Sequence, residues 1–255
     1  MNTTRKDGSL TTKIAHKIAT VEFGHPASNS FPSQLLERLT KELHALSRND
    51  AVAVIVLKSE GEGAFCAGAS FDELVAVRNL EEGVRFFSGF ANVINAMRTC
   101  TKLIIGRVHG KTVGGGVGLA AACDYVLATD KAAVKLSELT IGIGPFVIAP
   151  AVERKVGLSG FSALALDATS WKSAQWAKEK GLFGAVFESA IELDTEVALL
   201  SEKLASYNPD ALLEMKKMLW EGTVHWETLL EERASISGAL VLSRFTKNAL
   251  EKFKK

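Results

Sequence analysis

Three short stretches of this sequence carry residue types and spacings that suit chemistry at a carbonyl group. AFCAGAS at 64–70 directly follows an apolar run, AVAVIVL at 51–57, and its glycine turn. HGKTVGGGVGL at 109–119 directly follows LIIGRV. Both read as strand-to-helix turns. The first amides of a helix have no acceptor within it, its dipole end is positive, and glycine lets a ligand approach the main chain. Two such amides converging on one oxygen would form an oxyanion hole. Each segment taken singly is equally well a tight turn with close helix–strand packing. The third stretch, AAVKLSELTIGIGP at 132–145, holds Glu138 among Val134, Leu136, Leu139, Ile141 and Ile143. A lone glutamate there reads equally as an exposed loop residue. A carboxyl beside an apolar pocket, however, has its pKa raised by desolvation, which suits proton transfer near neutral pH. The acid together with both amide-rich turns points to an enzyme that handles an oxyanion.

Those segments need a scaffold, and the flanking patterns describe one. LTTKIAHKIATVEF at 10–23 reads as one or two opening strands. The run at 33–50 places Leu35, Leu36, Leu39, Leu43 and Leu46 at helical spacing, and 51–57 is a buried strand. RFFSGFANVINAMR at 85–98 puts Phe86, Phe87, Phe90, Val93, Ile94 and Met97 on one face, which reads as a core stripe. KLIIGRVHG is a strand, VGGGVGLAAACD opens a small-residue helix, and YVLAT and AAVKL are short strands. Beyond Gly157 the pattern is helix upon helix, with Ser173 as an N-cap, Gly181 as a stop and a short strand at FGAVF. From about residue 191 the chain reads as almost wholly helical, and Pro209 suits a first helical turn. The expected organisation is an α/β core over 1–190 and a helical region over 191–255.

Composition narrows the function classes. The 255 residues are 47% hydrophobic and 23% charged with a formal net charge of +1, so no global field favours nucleic acid or an acidic membrane surface. The basic tail EKFKK is one local candidate patch. The opening MNTTRKDGSL is polar, and no apolar run has the length of a membrane span. Three widely spaced cysteines without a C-x-x-C pair argue against a disulfide framework and fit a reducing cytoplasm. The five histidines fall into no ligand spacing, so no metal site is expected.

FCAGASFDEL, RVHGKTVGGGVGLAAACDYVLAT, KLSELTIGIGP and SAQWAKEKGLFGAVF, in this order, resemble the crotonase (enoyl-CoA hydratase/isomerase) superfamily over roughly residues 10–190. The resemblance implies a ββα spiral core with a helical tail that trimerises, as a trimer or a dimer of trimers. It implies oxyanion-hole amides at Ala69 and Gly115, with Glu138 as the catalytic acid/base. The substrate would lie along Ala67, Gly68, Gly114, Gly116, Gly118, Pro145 and Phe146. Coenzyme A belongs to the substrate, with its adenine near the loop after the first strands and the FCAGAS segment; no separate cofactor is implied.

The sequence departs from the best-known hydratases in one place. They carry a glutamate two residues after the glycine triplet and a second one 20 positions later; here the first position is Gly118 and the second is Glu138. The loop continues as Pro145-Phe146-Val147-Ile148 where the family usually has more glycine, which implies a more apolar or differently shaped acyl pocket. GGGVGL with LSE and IGP looks most like the branch containing bacterial methylglutaconyl-CoA hydratases of leucine breakdown. On that resemblance hydration of an enoyl-CoA is expected ahead of single-glutamate double-bond isomerisation. Asp72 and Glu73 read as a solvated helix start. Gly116-Val117-Gly118-Leu119-Ala120-Ala121 also matches the dinucleotide-binding pattern G-x-G-x-x-A, but it stands mid-chain without a full βαβαβ half before it. A serine hydrolase is excluded by the lack of G-x-S-x-G, and a scaffold or RNA-binding role fits poorly with the retained Glu138 and near-neutral charge.

Overall fold

The computed structural model describes residues 7–252, so residues 1–6 of the polar opening and the last three residues of the EKFKK tail lie outside the described residues. In chain order the elements are β1 (Ser9–Ala15), β2 (Ile18–Gly24), α1 (Ser33–Ser47), β3 (Val54–Ser59), α2 (Phe71–Ala76), α3 (Leu80–Thr99), β4 (Leu103–Val108), β5 (Thr112–Val113), α4 (Gly115–Ala122), β6 (Tyr125–Thr129) and β7 (Ala133–Lys135). A 3-10 turn (Glu138–Ile141) follows, then α5 (Ala149–Ala165), β8 (Lys172–Ser173), α6 (Ala174–Glu179), β9 (Ala185–Phe187), α7 (Ala190–Ala205), α8 (Pro209–Leu219), α9 (Trp226–Leu240) and α10 (Arg244–Lys252).

One sheet runs β1-β2-β3-β4-β6-β9, and a second runs β5-β7-β8. In the first sheet β1 and β2 form an antiparallel hairpin and the remaining pairs are parallel. Parallel strands need covered faces, and the sequence supplies them. Ile55, Leu57 and Ile104 join the main core with α1 and α3, while Val54, Val56, Ile105 and Leu127 meet Leu193 and Val197 of α7 on the other face. That double burial explains the unbroken apolar run of β3.

Several boundaries differ from the sequence reading for local reasons. The strand expected at 51–57 begins at Val54, because the Asn49 side chain accepts from the Ala51 amide and Val52 donates to the Asn49 carbonyl, closing a turn. The helix expected at 85–98 starts at Leu80, where the Asn79 side chain accepts from the Glu82 amide as N-cap. The helical run after Gly157 is the second half of α5, broken at Gly157 by its non-helical φ of 70°. Ser173 caps α6, Gly181 ends that segment with φ 85°, and Pro209 occupies the first turn of α8.

The C-terminal helices position the site. A Cβ added at Gly83 of α3 would lie 2.8 Å from the Gly238 carbonyl oxygen of α9, and one at Gly238 would lie 2.7 Å from the Val84 nitrogen. The two glycines therefore let these helices cross in backbone contact. Similarly α10 lies over the end of the 3-10 turn: a Cβ at Gly142 would come 2.4 Å from Phe245 Cδ1.

Candidate active site

The first glycine segment is clamped from both sides. The Phe31 amide donates to the Gly68 carbonyl at 2.8 Å and the Ser70 amide to the Phe31 carbonyl at 2.9 Å. On the opposite side Val113 donates to the Cys66 carbonyl at 2.9 Å, within a parallel bridge between Cys66 and Thr112. Asn29, itself at φ 55°, donates from its side chain to the carbonyls of Glu60 and Ala64 and so holds the chain that enters the segment. Gly68 has φ 87°, and a Cβ there would lie 3.1 Å from the Val113 carbonyl oxygen and 3.5 Å from the Gly115 nitrogen. The two amide-bearing segments thus touch backbone to backbone. Among the described residues neither the Ala69 nor the Gly115 amide has a hydrogen-bond acceptor.

A cavity of about 170 Å³ opens where they meet. Ala67, Gly68 and Ala69 line it from the first segment, and Gly114 and Gly115 from the second. Glu138, Pro145 and Phe146 complete the wall from the third. Segments far apart in the chain converge because β3 and β4 are adjacent parallel strands whose C-terminal ends lie side by side. The structure does not bring Gly116 and Gly118 to this cavity. A Cβ at Gly116 would lie 2.7 Å from Cys66 Cβ, and one at Gly118 would lie 2.4 Å from Ile148 Cγ2, so both are packing glycines. The same burial leaves no open backbone for a dinucleotide pyrophosphate at the G-x-G-x-x-A match.

Glu138 opens the 3-10 turn, and its carboxyl reaches back to Gly114. A Cβ at Gly114 would stand 2.9 Å from Glu138 Oε1, so the glycine leaves the room the carboxyl occupies. The Oε2 atom is buried and has no hydrogen-bond partner among the described residues. Burial in these apolar surroundings raises the carboxyl pKa to about 7, opposed only by its own backbone amide. A group poised there can accept and return a proton at neutral pH. Neighbouring ionisable groups do not compete. Burial pushes the Cys66 thiol up to about 12. The His109 ring, desolvated and facing Arg107 and Lys58, is pushed down to about 4 and lies outside the cavity.

Of the remaining lining, the sequence anticipates Ile141 and the loop residues Val147 and Ile148 as apolar surroundings of the site, but not the α3 phenylalanines or Ser237. Phe86, Phe87 and Phe90, assigned to a core stripe, face this cavity from α3, and Phe90 packs where a Cβ on Gly115 would go. Ile141, Val147 and Ile148 extend the apolar wall, and Ser237 enters from α9. Helical periodicity alone does not separate a cavity-lining stripe from a core stripe, and nothing in the sequence marks a single serine in a late helix. Of the two acids beside the first segment, Asp72 is exposed, whereas Glu73 accepts from the Ser33 amide at 2.9 Å and so caps the start of α1. It belongs to the scaffold.

The enoyl-CoA hydratase/isomerase family profile matches residues 13–247. Among curated relatives, a peroxisomal Delta(3,5)-Delta(2,4)-dienoyl-CoA isomerase of Arabidopsis thaliana is 29% identical over 80% of this chain and 77% of its own. A probable enoyl-CoA hydratase of Bacillus subtilis is 27% identical over 92% of both chains. The mitochondrial methylglutaconyl-CoA hydratase of Mus musculus is 34% identical over 65% of this chain but only 52% of its own. An enoyl-CoA hydratase structure from Bacillus halodurans superposes with a TM-score of 0.88 at 20% identity, covering 95% of this chain and 99% of that one, and shares its fold. This two-sheet α/β architecture with C-terminal helices is the crotonase fold, and the chain belongs to the enoyl-CoA hydratase/isomerase family.

Proposed function

We propose that this protein moves a double bond along the chain of an unsaturated acyl-CoA thioester, with Glu138 as the only acid/base. The observation that carries the reading is the single carboxyl of Glu138, whose Oε2 has no partner among the described residues, set in one apolar cavity with the amides of Ala69 and Gly115, which have no acceptor among the described residues. The thioester oxygen accepts from those two amides. Glu138 takes a proton from the α-carbon, and the negative charge spreads onto the thioester oxygen as the dienolate forms. Glu138 then delivers the proton to the γ-carbon, so the β,γ double bond becomes α,β with no gain or loss of atoms. Each oxyanion donor is worth about 100- to 1000-fold in rate, and the positioned base about 100- to 10,000-fold.

This reverses the order that the sequence resemblance suggested. Hydration in the two-glutamate arrangement holds water between both carboxylates. Here Ile148 fills the space that a side chain at position 118 would need, so the second acid is replaced by a hydrocarbon wall. Hydration by Glu138 alone is the second reading, favoured by the hydratase names of the Bacillus subtilis and Mus musculus relatives. Oxygen-18 water separates the two. A β,γ-enoyl-CoA should give an unlabelled, double-bond-shifted product. A labelled hydroxyl at the β-carbon would establish hydration instead.

Among the described residues, the lining of the cavity holds no Lys, Arg or His. A chain ending in a carboxylate, such as a methylglutaconyl group, would be buried there without a counter-charge, which is costly. The substrate we propose is therefore uncharged along its acyl chain. We further propose the trimer or dimer of trimers that the family resemblance implies, with the helices beyond residue 190 as its contact region. We place the protein in a reducing compartment such as the cytoplasm, a reading supported by the three free, buried thiols of Cys66, Cys100 and Cys123.

A further inference from the structure

Among the side chains that line the cavity, Ser137, Glu138 and Ser237 are the polar ones. Glu138 has a role in the proposed reaction; Ser237 has none. Its residue is 1% exposed and its hydroxyl has no hydrogen-bond partner among the described residues. Its neighbour on the same helix, Ser235, donates to the Glu231 carbonyl, and Ser201 of α7 is likewise buried without a partner but does not line this cavity, so Ser237 is distinguished by standing at the cavity wall. A buried hydroxyl left unpaired destabilises the free protein, so its presence at a cavity wall calls for a partner that arrives from outside.

The helix crossing locates that partner. Gly238, the next residue, lies against Gly83 of α3, while Phe90 of the same helix packs against Gly115 at the oxyanion end. Gly83 and Phe90 are seven residues apart, roughly 10 Å along the helix at 1.5 Å per residue. Ser237 therefore stands at the far end of the acyl channel, well beyond the α, β and γ carbons. Without cations in the lining, the group it meets is a neutral oxygen rather than a carboxylate.

We infer that Ser237 is a specificity-determining residue whose hydroxyl bonds a neutral oxygen substituent, a hydroxyl or keto group, on the distal part of the acyl chain. The inference rests on the acyl-CoA reading of the site and adds a preference to it.

The test is calorimetric binding of hexanoyl-, octanoyl- and decanoyl-CoA, each beside its terminal and penultimate hydroxy and keto derivatives. The wild-type protein should prefer at least one oxygenated chain over its parent by about tenfold. In Ser237→Ala that ratio should fall to about one, while the thermal midpoint holds or rises, because an unpaired buried hydroxyl has been removed. A fall in the midpoint would mark the hydroxyl as structural and overturn the inference. So would a wild-type protein that binds parent and oxygenated chains alike, or a variant that keeps the wild-type ratio. Loss of turnover in the variant with the affinity ratio intact would make Ser237 a holder of reacting water and would equally overturn it. If no acyl-CoA binds at millimolar concentration, the acyl-CoA reading itself fails; binding without preference defeats this inference alone.

Discussion

Glu138 ties the proposed chemistry of this protein to its stability. Its carboxyl has a pKa near 7 in the folded protein against an ordinary 4.5, so between those values the folded state holds more protons than the unfolded one. Stability linked to this group is therefore present at low pH and is lost as pH rises from about 4.5 through 7, by at most about 3 kcal/mol. Glu138→Gln removes that loss: the variant should match the wild type near pH 5 and exceed it at pH 8, as denaturant titrations at the two pH values would show. The same substitution should lower turnover by at least ~100-fold. In the wild type, kcat/KM should rise with pH through about 7 as the base ionises. A variant that keeps most of the wild-type rate would remove Glu138 from the proposed mechanism. The buried, apolar setting of Glu138 was legible because an acid among five apolar residues before a glycine–proline loop is an unusual local pattern. Ser237 was not legible, since its surroundings come from α3 and α9, whose contact is set by two glycines more than 150 positions apart in the chain.

At the level of elements, the contact between α4 and the start of α5 determines how many carboxylates the site holds. Ile148, the residue just before α5, sits where any side chain on Gly118 would project, and Ile94 Cδ1 of α3 is 3.7 Å from that same Cβ position. Gly118→Ala should therefore destabilise the protein by about 1–3 kcal/mol through overpacking. Ile148→Ala opens the space, and the double variant should recover part of that loss; the two changes should be non-additive in urea unfolding. Additive effects would mean that the two residues do not compete for the same volume. The sequence displayed the missing glutamate at position 118, but not the isoleucine that takes its place, because residues 30 apart meet only when the two helices pack. Strand and helix identities were mostly legible from apolar periodicity. Their ends were not, since Asn49, Asn79 and Gly157 act through side-chain caps and backbone angles that periodicity does not carry.

Across the whole molecule, α8 is fastened to the sheet by a buried ion pair. Lys216 bonds both carboxylate oxygens of Asp124, at 3.0 and 2.8 Å, and Trp220 Nε1 donates to the same carboxylate at 2.7 Å. Asp124 also accepts from the Ile104 amide, which ties the cluster to the start of β4. Both charged side chains are 3% exposed. Lys216→Met strands the carboxylate and should cost about 3–5 kcal/mol in equilibrium unfolding, whereas Lys216→Met with Asp124→Asn should cost less. An equal cost for the single and double variants would place the strength of the cluster elsewhere. With Lys216 turned inward, α8 presents Met215, Met218 and Leu219 outward, all exposed. Apolar side chains shown on both sides of a helix call for a second packing partner. Light scattering at micromolar concentration should give the mass of a trimer or a hexamer, and a monomer would refute the proposed assembly.

The sequence by itself determined the family, the α/β alternation, the two amide-bearing turns and the acid, because each is a local pattern: a strand-length apolar run, a glycine cluster, a carboxyl in an apolar stretch. It also determined that one of two expected carboxylates is absent. Tertiary structure alone decided what stands in that place, which glycines face the cavity and which only allow close packing, and which phenylalanines of α3 line that cavity. It also placed Ser237 of α9 in the lining of that cavity. The division has one physical cause. Hydrogen-bonding propensity and hydrophobic periodicity act between near neighbours and are written into adjacent letters. The volume available to a side chain is set by helices that meet across the sequence, and exists only once they have packed.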